Sequence, residues 1–450
     1  MTRRAYIFLV VVCAIWLGAR AVTQPAGFDF DEPAHVGTVI EVRGFAGLAP
    51  ADRFPEIIVN PRTVEPRFHM FPPLPYLVMA AATVVAQADQ QEVATVDFHR
   101  ITGQSIGDAA SIDPVATTVL LVSRALSALM ALIAVTSVGL AVRNLQRPEA
   151  TWTVPAAVTV GMALMPGVHS LGASVTASTW ALAAVGLTCA TTAWAVRSDW
   201  SPRSTTAVVI AAVFVVAARA SAYPVLLLVP LAMFASRLTL RASVLRLAVI
   251  GLAVVAANGW WVVRNMLVNG DPLGANIYLS TVADVAACRI ARESPVWCGA
   301  ATGPWPAWTL LTSTDIFWVY LSRMLVRRTW IDTLTIMLWI GMVVVPALLV
   351  IADRIRRSSS RSNGSFALLM AASGAGMAVL AFVLAVALAG EIGWYIYSRD
   401  TFIALIPLVV AVAVLADLRH DRLRILGLGS GLAFAAAANA GFMLAVLPNV

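Results

Sequence analysis

Long apolar runs, separated by short polar turns, extend from the first residues of the chain to the last. Many of these runs reach about 18 residues or more with almost no charge, which is the length that an α-helix needs to cross a bilayer. Inside lipid, a helix satisfies its own backbone hydrogen bonds. The pattern therefore predicts an all-α polytopic membrane protein.

Eleven membrane spans are the most consistent count. We predict them at residues 5–22, 115–142, 152–168, 175–196, 205–218, 222–235, 247–263, 334–352, 366–390, 402–415 and 425–447. The first run follows two arginines and lacks a convincing cleavage site, so it is interpreted as a retained anchor helix. The short runs 205–218 and 222–235 are interpreted as a pair, with one long kinked helix as the alternative.

The positions of the arginines predict how the chain is oriented in the membrane. The formal net charge of +7 comes without a single lysine, and the arginines cluster in short loops beside alternate ends of the spans. Such loops stay in the cytoplasm, so this pattern indicates topology and not nucleic-acid binding. We expect a cytoplasmic N-terminus, a non-cytoplasmic C-terminus and two large outer loops, 23–114 and 264–333, within one integral-membrane domain over 1–450.

Two further apolar stretches, 74–86 and 308–325, are predicted to lie at the outer surface as juxtamembrane or re-entrant helices. Counting either one alone as a span would invert the rest of the chain and place its arginine clusters outside.

Composition agrees with a membrane protein. Hydrophobic residues make up 60% of the chain and charged residues only 12%, too much apolar surface for a water-soluble globule to bury. The lack of lysine beside abundant Ala, Val, Leu and Arg indicates a GC-rich genome, and hence a bacterial plasma membrane.

The topology restricts the chemistry. Each predicted cytoplasmic loop has about a dozen residues or fewer, whereas a nucleotide-binding domain needs roughly 50 or more. Any enzymatic chemistry should therefore use substrates available at the outer face. A lipid-linked donor meets that requirement.

Two acidic residues, Asp31 and Glu32, open a predicted surface helix in the first outer loop. Pro33 suits the first helical position, and the apolar residues at 36, 39 and 40 follow at helical spacing. One interpretation is that a carboxylate caps the helix and meets the positive end of its dipole. The other is a general base for an incoming hydroxyl group. The two are compatible.

Four segments, in this order along the chain, resemble GT-C-type membrane glycosyltransferases, and in particular a bacterial branch of them. They are Asp-Glu-Pro-Ala-His at 31–35, Phe-Pro-Pro-Leu-Pro-Tyr at 71–76, Trp-Trp-Val-Val-Arg-Asn at 260–265 with Gly-Asp-Pro-Leu-Gly at 270–274, and Tyr-Ser-Arg-Asp at 397–400. The chain departs from that branch at 174–178, where Ser-Val-Thr-Ala-Ser replaces a frequent asparagine-aspartate pair.

The resemblance implies an inverting sugar transfer from a polyprenyl-phosphate donor to a hydroxyl of a cell-envelope glycan, lipid or protein. Asp31, with Glu32, would act as the general base. The departing phosphate needs cations, and guanidinium groups match its geometry. The candidates are Arg219, Arg264 and Arg399, for which the alternative is an interfacial arginine contacting lipid headgroups.

His35, His69 and Tyr76 are the further candidates for substrate binding. A divalent metal held by Asp31, His35 and His69 is an alternative, but several polyprenyl-phosphate-dependent relatives need none, so no cofactor is expected to be required. Cys288 and Cys298 share the second outer loop and are predicted to form a disulfide, with two free thiols as the alternative.

Two other functional classes remain open at this point: a transporter or flippase of lipid-linked sugars, and a non-catalytic scaffold of envelope assembly. Transporters place ionisable groups near mid-membrane. The predicted spans are almost devoid of charge, with Arg124 as the clearest exception, and this favours the enzyme.

Overall fold

The computed structural model describes residues 1–26, 32–44, 59–60, 63–64, 72–86, 101, 104–146, 148–236, 238–269 and 272. Within these ranges the chain is helical apart from turns and one small antiparallel ribbon. The ribbon consists of β1 (Val59–Asn60) and β2 (Thr63–Val64), with Val59 opposite Val64 and Asn60 opposite Thr63.

Eleven α-helices lie in the described part. They are α1 (Arg3–Thr23), α2 (Glu32–Gly44), α3 (Leu74–Val85), α4 (Ile106–Ile112), α5 (Pro114–Leu145), α6 (Thr153–Leu164), α7 (Pro166–Gly172), α8 (Ala177–Arg197), α9 (Pro202–Ala218), α10 (Leu228–Ala235) and α11 (Leu240–Asn269). A 3-10 helix, Ala220–Leu227, joins α9 to α10.

Four helices of the described part are long and apolar enough to cross a membrane: α1, α5, α8 and the stretch Leu240–Leu267 of α11. They confirm four of the predicted spans as helices. The stretch predicted at 74–86 contains the helix α3, and its place at the outer surface stays a prediction. The spans predicted from 334 onward and the surface helix predicted at 308–325 lie outside the described residues.

The prediction of one continuous helix over 152–168 is wrong. The chain forms two helices, α6 and α7, which meet at Met165, where ψ is 124° and the backbone is extended. Pro166 explains the break, because proline has no N–H to donate and disfavours helical geometry in the residue before it.

The pair predicted at 205–218 and 222–235 is confirmed as two antiparallel segments. Arg219 is extended, with φ −169° and ψ 143°, and ends α9. Trp200, just before α9, donates its Nε1–H to Oγ of Ser236, just after α10, at 3.0 Å. The chain therefore returns to the end at which α9 began. The second segment is not one α-helix, because its first half, around Pro224, is the 3-10 helix.

Helix α5 lies at the centre of the bundle and packs against α1, α3, α4, α6, α7 and α8. Its closest neighbour is α8, where Gly186 lets the two backbones approach. A Cβ atom added there would lie 3.0 Å from the carbonyl O of Ala134 and 3.2 Å from its Cα. The small residue at 186 therefore sets the distance between α5 and α8.

Contacts between helix ends place several of them at one end of the bundle. At one end, the backbone N of Trp152 donates to O of Met1 at 3.2 Å, and Nη1 of Arg197 donates to O of Arg143 at 3.1 Å. The first turn of α2 and the start of α8 lie at the opposite end of the bundle. Which end faces the cytoplasm stays a prediction.

We expect Gly186→Ala to lower the thermal midpoint of the purified protein in detergent. The added methyl group must push α5 and α8 apart, and such overpacking costs about 1–3 kcal/mol. Gly161→Ala on α6 is the matched control, because no described atom lies within 4 Å of its added Cβ. Equal thermal midpoints for the two variants would contradict the close approach at Gly186.

Candidate functional site

A fully buried ion pair joins the first residue of α2 to the interior of α5. Nε of Arg124 donates to Oε1 of Glu32 at 2.8 Å, and Nη2 donates to Oε2 at 2.6 Å. Both side chains are 0% exposed. The two parallel bonds form the bidentate arrangement in which an arginine holds a carboxylate most firmly.

The remaining donors of Arg124 contact the end of α1. Nη1 donates to the carbonyl O of Ala21 at 3.2 Å and of Gln24 at 2.5 Å, and Nη2 donates to that of Pro25 at 2.7 Å. With the two bonds to Glu32, all five guanidinium N–H groups are used. The last carbonyls of a helix lack partners within it, so the arginine also satisfies the end of α1.

The turn before α8 completes this arrangement. The backbone N–H of Val175 donates to Oε1 of Glu32 at 2.9 Å. One residue earlier, Oγ of Ser174 accepts a hydrogen bond from Nε2 of Gln24 at 2.8 Å. Residues 174–178, where the sequence departs from the family that it resembles, therefore bind both the end of α1 and the start of α2.

The same turn reaches Arg219. Nη1 of Arg219, at the end of α9, donates to Oγ of Ser178 at 3.1 Å. Ser178 is three residues after Val175, so their Cα atoms are at most about 11 Å apart. Arg219 is partly exposed. A guanidinium group is thus linked to Glu32 through the segment from Val175 to Ser178.

His35 and Tyr76, both predicted to bind substrate, contact each other. Nδ1 of His35 and the hydroxyl of Tyr76 are 2.8 Å apart, and the two rings are stacked with centroids 5.8 Å apart. Both side chains are buried. This contact fastens α2 to α3. The apolar stripe predicted on α2 is confirmed, because Val36, Val39 and Ile40 are buried.

An apolar cleft of about 350 Å³ lies between α3, α9 and α11. Its walls include Pro73, just before α3, Leu77 of α3, Phe214 and Ala217 of α9, and Trp261 of α11. The indole N–H of Trp261 is buried and has no hydrogen-bond partner among the described residues. The cleft therefore combines apolar walls with an unused donor.

Arg264 follows Trp261 by three residues on α11, so the two side chains lie on one side of the helix. It is partly exposed, and its Nη1 lies 3.4 Å from Oδ1 of Asn265. The wall of the cleft that α11 contributes thus leads to a cation near the end of that helix.

The structure describes five of the predicted site residues: Glu32, His35, Tyr76, Arg219 and Arg264. It joins Glu32 to Arg219 through the turn before α8, and it joins His35 to Tyr76. The others lie outside the described residues, namely Asp31, His69, Arg399, Cys288 and Cys298.

Four residues of the site had no role predicted from the sequence: Arg124, Gln24, Ser174 and Ser178. For Arg124 a signal existed, because an arginine inside an apolar span requires a partner. The three polar side chains had no such signal, since single polar residues near helix ends are common.

Among the described residues, no three His, Cys, Asp or Glu side chains lie together as a metal site. Asp31 and His69, two of the three residues in the predicted metal alternative, are outside those ranges, so that alternative stays a prediction.

No protein-family model matches the sequence, and comparison with curated proteins gives no match. Among solved structures, the chain is similar to the Archaeoglobus fulgidus oligosaccharyltransferase, both in its complex with Zn and sulfate and in its apo form. The identities are 13% and 12%, and the TM-score is 0.46 in both cases. The matches cover 96% and 97% of this chain but 52% and 56% of the other, so the chain spans about half the length of those proteins.

Proposed function

We propose that this protein is a membrane glycosyltransferase. It moves a sugar from a polyprenyl-phosphate donor to a hydroxyl of a cell-envelope acceptor on the non-cytoplasmic face. The acceptor oxygen attacks the anomeric carbon and Asp31 takes its proton. The bond from that carbon to the phosphate oxygen breaks, its electrons leave with the polyprenyl phosphate, and the configuration inverts.

One observation carries the choice between the two acidic residues. The oxygens of Glu32 already accept two N–H bonds from Arg124 and one from Val175. A general base needs a free lone pair within reach of the substrate, and this buried carboxylate already accepts hydrogen bonds at both oxygens. Asp31, one peptide bond away, is therefore the base in this proposal.

The leaving phosphate carries negative charge into a place of low dielectric constant, so it needs cations and N–H donors. Arg219 is partly exposed and contacts Ser178, in the segment whose Val175 binds Glu32, and Arg264 lies beyond the wall of the cleft formed by α11. Guanidinium groups bind phosphate oxygens in a bidentate manner. We assign Arg219 to the leaving phosphate, with Arg264 as a second cation.

The cleft supports a lipid-linked donor. Its volume of about 350 Å³ falls within the usual range of ligand sites, and its walls are mostly apolar. An isoprenoid chain gains about 0.8 kcal/mol for each methylene that it buries. Arg264, one turn along α11 from the wall residue Trp261, provides a cation at one side, as an amphiphile with a phosphate requires.

The ion pair also supports the enzyme over the transporter. Arg124 was the clearest charge within a predicted span, and a coupling role would need it to gain and lose a partner. Instead it is fully buried and uses every donor on Glu32 and the end of α1. This arrangement supports a rigid site at one end of the bundle.

We expect Asp31→Asn to abolish sugar transfer while leaving the thermal midpoint and the amount of protein in the membrane unchanged. Loss of a general base lowers a rate by about 100-fold to 10,000-fold. Mass spectrometry of envelope glycans should show the same missing sugar in cells with Asp31→Asn and in cells without the protein. Asp29→Asn, two residues earlier, is the matched control and should keep the glycan. A complete glycan in the Asp31→Asn cells would refute the assignment.

Arg219→Gln should weaken binding of polyprenyl phosphate, because hydrogen bonds to charged groups contribute about 1.5–3 kcal/mol, which is roughly tenfold to a hundredfold in Kd. Binding of the uncharged polyprenol should not change. The matched control is Arg203→Gln at the other end of α9, with the Kd of the purified protein as the measurement. Equal weakening for both ligands would show that Arg219 supports the fold and not the phosphate.

Ala217→Phe should raise the Kd for polyprenyl phosphate about tenfold, because the ring fills part of the cleft and displaces about two methylenes. Farnesyl phosphate, which is shorter, should lose less affinity. Ala19→Phe on the exposed side of α1 is the control for an added ring. An unchanged Kd for the long-chain ligand would place the isoprenoid chain elsewhere.

A further inference from the structure

A single nitrogen of Arg124 binds the residues on both sides of residues 26–31, a stretch of the predicted outer loop that contains Asp31. Nη2 donates to the carbonyl O of Pro25 at 2.7 Å and to Oε2 of Glu32 at 2.6 Å. Only residues 26–31 separate these two acceptors along the chain. Pro25 and Glu32, on either side of this stretch, are therefore bound by the same guanidinium group.

That guanidinium also fixes the loop to the end of α1. Its Nη1 donates to the carbonyl oxygens of Ala21 and Gln24, in the last turn of the helix and just after it. These oxygens have no partner inside the helix, and the negative end of the helix dipole attracts the positive charge. The start of the loop consequently has a defined position on α1.

Glu32 connects the end of the loop to α8. Its Oε1 accepts one bond from Arg124 and one from the backbone N–H of Val175. Val175 begins the four-residue segment that ends at Ser178, which accepts a hydrogen bond from Arg219. The ion pair thus ties the loop to the segment that reaches the proposed phosphate-binding arginine.

We propose that Arg124 and Glu32 are positioning residues, which set the place of the base at residue 31 relative to Arg219. This proposal rests on the proposed function. Neither residue takes the proton, because a guanidinium has no acceptor and the oxygens of Glu32 are occupied. They act by geometry: a misplacement of about 1 Å costs roughly a hundredfold in rate.

Replacing Arg124 by lysine separates the effect of side-chain geometry from the effect of charge. A lysine at 124 keeps the positive charge beside Glu32 but has three donors on one atom and no planar fork. It cannot bind the end of α1, the carbonyl of Pro25 and both oxygens of Glu32 together. A purely electrostatic role would survive Arg124→Lys, whereas a positioning role would not.

The experiment compares steady-state transfer by the full-length protein, with the polyprenyl-phosphate sugar that the glycan comparison identifies. We expect Arg124→Lys to lower kcat about tenfold to a hundredfold. The KM for the donor should stay within about twofold, because the cleft and Arg219 are unaltered. Arg143→Lys, at the other end of α5, is the matched control and should transfer at the wild-type rate.

The contrary result would be a wild-type kcat for Arg124→Lys with an unchanged thermal midpoint. If that variant does not fold, the double variant Arg124→Met with Glu32→Met decides instead. It removes both charges and places apolar side chains of similar length in the interior. Replacing a buried ion pair in this way is often neutral or stabilising for the fold. A folded double variant with low kcat supports positioning, and a folded double variant with wild-type kcat overturns it.

Asp31→Asn in the same assay distinguishes failure of the proposed function from failure of the positioning role. Full activity of Asp31→Asn would overturn the proposed function, and the positioning role with it. An inactive Asp31→Asn beside a wild-type kcat for Arg124→Lys would overturn only the positioning role, leaving the base assignment in place.

Discussion

A guanidinium group buried among apolar helices must find an opposite charge and an acceptor for each of its N–H groups, since an isolated buried charge costs several kcal/mol. In this protein, Arg124 meets that demand with one carboxylate and three backbone carbonyls. The end of α1 and the start of α2 must meet at Arg124 of α5 to supply them. The packing of these two ends against α5 follows from this requirement.

Hydropathy and proline rules account for most of the helices that the structure describes. Helices α1, α5 and α8 lie within about three residues of their predicted bounds, because a helix in lipid needs no information beyond apolar length. Helix α11 is longer at both ends than the span predicted at 247–263. The break at Met165 was also available in the sequence, through Pro166. The 3-10 helix around Pro224 could not be predicted in the same way. A proline removes one backbone donor, but it does not specify which kind of turn replaces the α-helical one.

The candidate site was only partly predictable. Asp31 and Glu32 are equivalent in sequence, and what separates them is a partner 92 residues away from Glu32. Hydropathy shows that Arg124 needs a partner but not which carboxylate provides it. The role of Val175 depends on its backbone N–H, which every residue other than proline possesses, so no side-chain pattern indicates it.

The cleft between α3, α9 and α11 includes two strongly exposed wall residues, Ile210 and Trp260, on the outside of the described bundle. An apolar opening of this kind admits a molecule that is already dissolved among the lipid tails. Delivery would then be diffusion in two dimensions, and the supply of substrate would depend on its number per area of membrane and not on its solubility in water. The speed of such an enzyme would follow the composition of the surrounding bilayer.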